Sequence, residues 1–120
     1  MLTRCVMSDE LEHRNGIRAP VTGAIRFWRW NDAKLAQGGE LSASGIFLRT
    51  ADVAAEGSHV TVRLELPGQQ GVTVLGRVVR TVKGGLLEVA GMGIRFLDLV
   101  PTQKSLIEEF VRSRHVEAFV

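Results

Sequence analysis

From His59 to Leu66 the chain alternates without a break. Val60, Val62, Leu64 and Leu66 fall on one side, and His59, Thr61, Arg63 and Glu65 on the other. A period of two is the signature of an extended strand with one dry and one wet face, and no helix satisfies it. Pro67-Gly68 then closes the run as a turn. The neighbouring segments follow the same logic. Val21 to Trp30 puts Ile25 and Phe27 on one face and Trp28 and Trp30 on the other. A strand apolar on both faces needs two covers, an interior on one side and a helix or a partner on the other. Asn31 to Glu40, with the pair Gly38-Gly39, reads as turn, and Ile46-Phe-Leu48 as a short buried strand. Val72 to Val82 is a further β-rich run with Gly76 expected at a bulge. Lys83-Gly84-Gly85 signals a hairpin, and Leu86 to Leu97 returns from it, interrupted by Gly91 and Gly93.

After Pro101 the period changes. Leu106, Ile107, Phe110 and Val111 form one helical stripe, with Glu108, Glu109 and Arg112 off it, which predicts a helix over about 101–113. Six short strands and one helix, linked by hairpins, predict an all-β, six-stranded antiparallel barrel with a C-terminal α-helix, because closure removes exposed edges. The length of 120 residues suits one domain, and a 45% hydrophobic content supplies one core. The expected organisation is a flexible leader over 1–12, the domain over 13–113 and a tail over 114–120. No apolar run is long enough to span a bilayer. With a single cysteine, Cys5, and no apolar segment at the start, the expected setting is the cytoplasm.

Catalytic constellations are missing from the pattern. His13, His59 and His115 lie in separate segments without a second ligand at metal spacing, and no serine sits in a nucleophile elbow. Cys5 lies in the leader, and Gly91-Met-Gly93 lacks the third glycine of a dinucleotide loop. The expectation is a binding protein rather than an enzyme, with no metal or cofactor. The net charge is only +2, which argues against general DNA or RNA binding. Twelve of the fifteen basic residues are nevertheless arginine, whose planar fork suits phosphate and stacks on bases.

Two short elements carry binding chemistry. Arg14-Asn-Gly-Ile-Arg18 sets two guanidinium groups four residues apart ahead of the first strand, and Ala19-Pro20 keeps this arm extended. Such a pair can grip a dianion from two sides or simply solvate a surface. Downstream, Glu40-Leu-Ser42-Ala-Ser-Gly45 offers a carboxylate able to accept from the N–H edge of a guanine, a hydroxyl beside it, and a glycine. The same residues also suit an ordinary turn closed by a serine.

Together, Arg-x-x-x-Arg and acid-x-Ser-x-x-Gly, separated by roughly twenty residues, resemble the paired signature of the PilZ domain family. Gly57 leading into Val60-Thr-Val-Arg-Leu-Glu-Leu-Pro67 resembles a middle strand of that family. Gly91-Met-Gly-Ile-Arg-Phe96 resembles its Gly-x-Gly-hydrophobic-x-Phe strand. The resemblance runs over about residues 13–113. It implies a six-stranded PilZ-type barrel and a bacterial receptor for the second messenger cyclic di-GMP. Arg14 and Arg18 would hold phosphate and guanine edges, and Glu40, Ser42 and Gly45 would face a guanine. The acidic position of the family is usually Asp or Asn. Glu40 adds a methylene that moves the carboxylate about 1.5 Å outward, which strains a two-pronged pairing. His13 stands where an arginine is often found.

These implications predict a ligand-gated adaptor, monomer or homodimer, whose arginine arm orders on cyclic di-GMP and signals to an unidentified protein partner, with Trp28 and Trp30 as possible contact residues. The alternative is a PilZ-fold interaction module that binds no nucleotide. A third class, a barrel for single-stranded nucleic acid, would need aromatic platforms along a basic groove.

Overall fold

The computed structural model describes residues 18–68, 71–86 and 88–118. Among these residues, eight strands and one helix follow in order: β1 (Arg18–Val21), β2 (Ile25–Arg29), β3 (Asp32–Ala36), β4 (Gly39–Ser42), β5 (Gly45–Arg49), β6 (His59–Leu64), β7 (Val72–Val82), β8 (Gly91–Leu97) and α1 (Pro101–Ala118). Neighbouring strands all pair antiparallel, in the order β1-β4-β5-β8-β7-β6-β2-β3.

The count is eight instead of six because one long hairpin is bent in the middle. Its lower half pairs Arg18↔Ser42 through Val21↔Gly39, and its upper half Ile25↔Ala36 through Arg29↔Asp32. Between the halves, Thr22 to Ala24 face only Gln37 and Gly38, so one strand carries an extra residue and the ribbon turns. Gly23 and Gly38 take φ of +85° and +93° there, a region that side chains disfavour. The bend sends β1 and β4 to one end of the ladder and β2 and β3 to the other. Hydrogen bonds do not close the ladder; its two ends are joined through the chain itself. Counting each bent strand once restores the expected six.

Every strand turns side chains toward one core, from Ala19 and Val21 on β1 to Met92, Ile94 and Phe96 on β8. The alternation of the middle strand is realised in full: Val60, Val62 and Leu64 are buried, as is Leu66 just past it. Each such side chain stabilises by about 1.5–3 kcal/mol on burial. The helical stripe closes the core, with Ile107, Phe110 and Val111 buried and Leu106 packed against them. Pro101 opens the helix where its missing N–H costs nothing. The Val100 N–H donates to Gln103 Oε1 at 3.3 Å, half of a capping box, and Gln103 Nε2 donates to the Thr73 carbonyl at 3.0 Å, fastening the helix start to β7. α1 packs mainly on β1 and β4. It continues to Ala118, past the expected end at residue 113.

Several local expectations shift. The segment 31–40 is mostly strand, because Trp30-Asn31 alone makes the turn and pairing with β2 imposes extension on the polar β3. The first strand starts at Arg18, not Val21, and tolerates Pro20 because β1 lies at the edge of the ladder. The β7 bulge falls at Val79 instead of Gly76. Gly76 points at the core, where a Cβ would strike the Ile94 side chain. The return strand starts only at Gly91, after a loop in which the Gly85 N–H donates to the Glu88 carbonyl at 2.9 Å. Among the described residues, no helix is long and apolar enough to cross a membrane.

Candidate ligand-binding cleft

On the sheet face opposite the core, β1, β4, β5, β8 and β7 bound an open cleft of about 360 Å³. Strand alternation decides what lines it. Leu41 is buried, so Glu40 and Ser42 face out. Ala19 is buried, so Arg18 faces out. Ile46 is buried, so Gly45 and Phe47 face out. Across the β1–β4 ladder Arg18 stands opposite Ser42, and Glu40 opposite Pro20. Arg18 Nη1 lies 3.8 Å from Glu40 Oε1, with both side chains about half exposed. An exposed pair of this kind contributes between about 0 and 1 kcal/mol, so a stronger anion can displace it.

Ser42 Oγ donates to the Gly45 carbonyl at 3.2 Å and closes the β4–β5 turn. The turn reading of this motif is therefore realised, and the hydroxyl oxygen still has acceptor capacity. Gly45 pairs with Arg95, and a Cβ there would collide with the Ile94 carbonyl oxygen. What requires glycine at this position is the approach of the β8 backbone, rather than that of a flat ring.

Two further arginines line the cleft, and the motif reading missed both. Arg95 faces outward between the buried Ile94 and Phe96. Arg80 is delivered by the bulge. The register steps from Val78↔Ile94 to Arg80↔Gly93, so the extra residue Val79 keeps Arg80 on the outer face. Its guanidinium lies 5.5 Å from the centre of the Phe47 ring, a cation–π contact that fixes its direction. Among the described residues, no carboxylate comes within 4 Å of Arg80 or Arg95. Three guanidinium groups against the single carboxylate of Glu40 leave the lining with a formal charge of +2.

The cleft thus brings together Arg18, Glu40, Ser42 and Gly45. Arg14, like His13 and Cys5, lies outside the described residues. Trp28 and Trp30 sit elsewhere, around a second depression with His59, Thr61 and Leu75. Trp28 is half-buried. Trp30 is 91% exposed and holds φ +62° in the turn between β2 and β3.

The fold is thus an antiparallel, barrel-like sheet with a helix at its C-terminus and an arginine-rich cleft on its outer face. The sequence matches the PilZ domain family over residues 12–113, and the chain belongs to that family, whose members are receptor and adaptor modules. Among solved structures it is similar to the inhibitor of motility MotI/DgrA of Bacillus subtilis, with a TM-score of 0.67 at 14% sequence identity. That match covers 83% of this chain and 51% of the other, so the chain spans about half the length of that protein. No curated protein matches the sequence significantly.

Proposed function

We propose that this chain is a receptor for cyclic di-GMP that relays occupancy of its cleft to a protein partner in the cytoplasm. The observation that carries the reading is the convergence of Arg18, Glu40, Ser42 and Gly45 on one outward face together with Arg80 and Arg95. A cyclic dinucleotide is a dianion with two flat purines. A lining of charge +2 balances it, and arginines can both pair with phosphate and stack on a base. Arg14 joins the site in this reading, since four residues of chain reach at most about 14 Å from Arg18. Before binding, Glu40 holds Arg18; on binding, a phosphate takes the guanidinium and frees the carboxylate for a guanine edge. Membership of a family of receptor and adaptor modules supports output through contact with another protein.

The alternative, an interaction module without a nucleotide, gains from one observation. Arg18 and Glu40 already face each other, and Ser42 is already bonded to Gly45. Calorimetric titration with cyclic di-GMP separates the two readings. The receptor reading expects binding at micromolar concentration or tighter, reduced at least about tenfold in Arg18→Ala, which removes a charge-assisted contact. Glu40→Asp is expected to bind equally or more tightly, because the shorter acid releases Arg18. Absence of heat with the unmodified chain, or unchanged heat in Arg18→Ala, overturns the receptor.

A further inference from the structure

Beside the cleft, and sharing Arg95 with it, the outer face holds two features that folding alone does not favour. On the β7–β8 ladder Arg77 stands directly opposite Arg95, both exposed. Like charges in that position are destabilising. Among the described residues no carboxylate lies within 4 Å of either. On the other side of β7, Arg77 stands opposite His59, which borders the depression with Trp28, Trp30 and Leu75. Trp30 is the second feature. A bulky aromatic residue held at φ +62° in a two-residue hairpin turn is strained where glycine would not be, and its ring is almost wholly in water. The apolar outer side of β2 called for a helix or a partner, and α1 packs on β1 and β4 instead.

We propose that this face is a docking surface for an acidic segment of a partner protein that inserts an apolar side chain beside Trp30. The proposal rests on the receptor reading only in saying what receives the signal; the surface itself needs no nucleotide. Charge complementarity selects the occupant. Arg77 and Arg95, the latter shared with the cleft, offer two cations with no carboxylate within 4 Å among the described residues, and carboxylates from a partner would remove their mutual repulsion on docking. Tryptophan and arginine at the centre of a contact are the residues that carry most binding energy in protein interfaces. Aliphatic Leu75, 42% exposed beside the notch, favours an aliphatic or aromatic side chain over a stacked base.

The test uses the full chain and a fluorescein-labelled peptide with a central leucine–phenylalanine pair flanked by glutamates, followed by anisotropy at low salt. Controls are the same peptide with lysines for glutamates and a generic single-stranded oligonucleotide. The expected result is saturable binding of the acidic peptide alone, weakened at least tenfold by Arg77→Ala and by Trp30→Gly. Trp30→Gly relieves the turn, so its melting temperature stays level or rises and lost binding cannot be ascribed to unfolding. Arg77 is outside the cleft, so Arg77→Ala keeps its response to cyclic di-GMP, whereas Arg18→Ala loses that response and keeps the peptide. Equal binding of the lysine peptide, tighter binding of the oligonucleotide, acidic-peptide binding indifferent to both variants, or no binding at all overturns the proposal.

Discussion

Two arginine pairs face each other across two ladders of the same sheet, with the β6–β7 ladder between them, and the protein treats them differently. On β2–β6, Arg26 stands opposite Arg63. There Glu65 intervenes: Arg63 Nε donates to Glu65 Oε2 at 2.8 Å, and Arg63 Nη1 to Thr73 Oγ1 at 2.9 Å. The bond and charge of Arg63, with a smaller contribution from Arg26, hold the Glu65 carboxyl below its ordinary value of 4.5. On β7–β8, Arg77 and Arg95 face each other with no such acid among the described residues. The first pair is closed on itself and belongs to the scaffold. The second keeps its charge without a counter-ion among the described residues. A repulsion that one ladder neutralises and another retains is a sharper mark of a binding surface than the count of arginines.

The contrast can be broken by supplying the missing acid. Arg77→Glu turns a like pair into an opposite one and is expected to raise stability by up to about 1 kcal/mol, a gain of a few degrees in thermal unfolding. A lower melting temperature would mean that Arg77 and Arg95 do not repel in solution. Added salt sharpens the comparison with a smaller effect. Between low ionic strength and 0.15 M, where the screening length falls to about 8 Å, the unmodified chain should gain more stability than Arg77→Glu does. Equal gains in both would place the repulsion elsewhere. The smallest effect is at Glu65. Its carboxyl is lowered in the folded state, so its contribution is complete above 4.5 and is lost as pH falls through the folded value. Glu65→Gln should therefore be slightly less stable at neutral pH, with a flatter acid limb in denaturation followed from pH 7 to pH 3. Parallel acid limbs would remove Glu65 from the account.

Much of this was legible in the sequence where a single face is buried. The alternation of β6 and the stripe of α1 fixed elements and interior together, because one pattern reported both. The paired motif, through its family resemblance, named Arg18, Glu40, Ser42 and Gly45 together, and they line one cleft. What escaped has physical reasons. Asp32–Ala36 is strand by pairing and not by composition, since an edge strand with polar residues carries little apolar signal. Arg80 was hidden by the bulge: strict alternation from Val74 and Val78 would turn it inward, and only the extra residue at Val79 reverses that. Arg95 was readable from Ile94 and Phe96 on either side, yet its opposition to Arg77 depends on a register that no local pattern states. The strain at Trp30 likewise belongs to a turn whose two-residue length is fixed by the pairing of Arg29 with Asp32.

The bent hairpin has a mechanical consequence. Its lower half carries Arg18 and Glu40, and its tip carries Trp30, so the arginine-lined cleft and the depression beside Trp30 are built on one uninterrupted ribbon with a joint between them. The joint is built on two glycines in the left-handed region, Gly23 and Gly38. At Gly38 it is close-fitting, since a Cβ would press within 2.9 Å of the Val21 carbonyl oxygen. The shortest covalent route between the two surfaces passes through this joint.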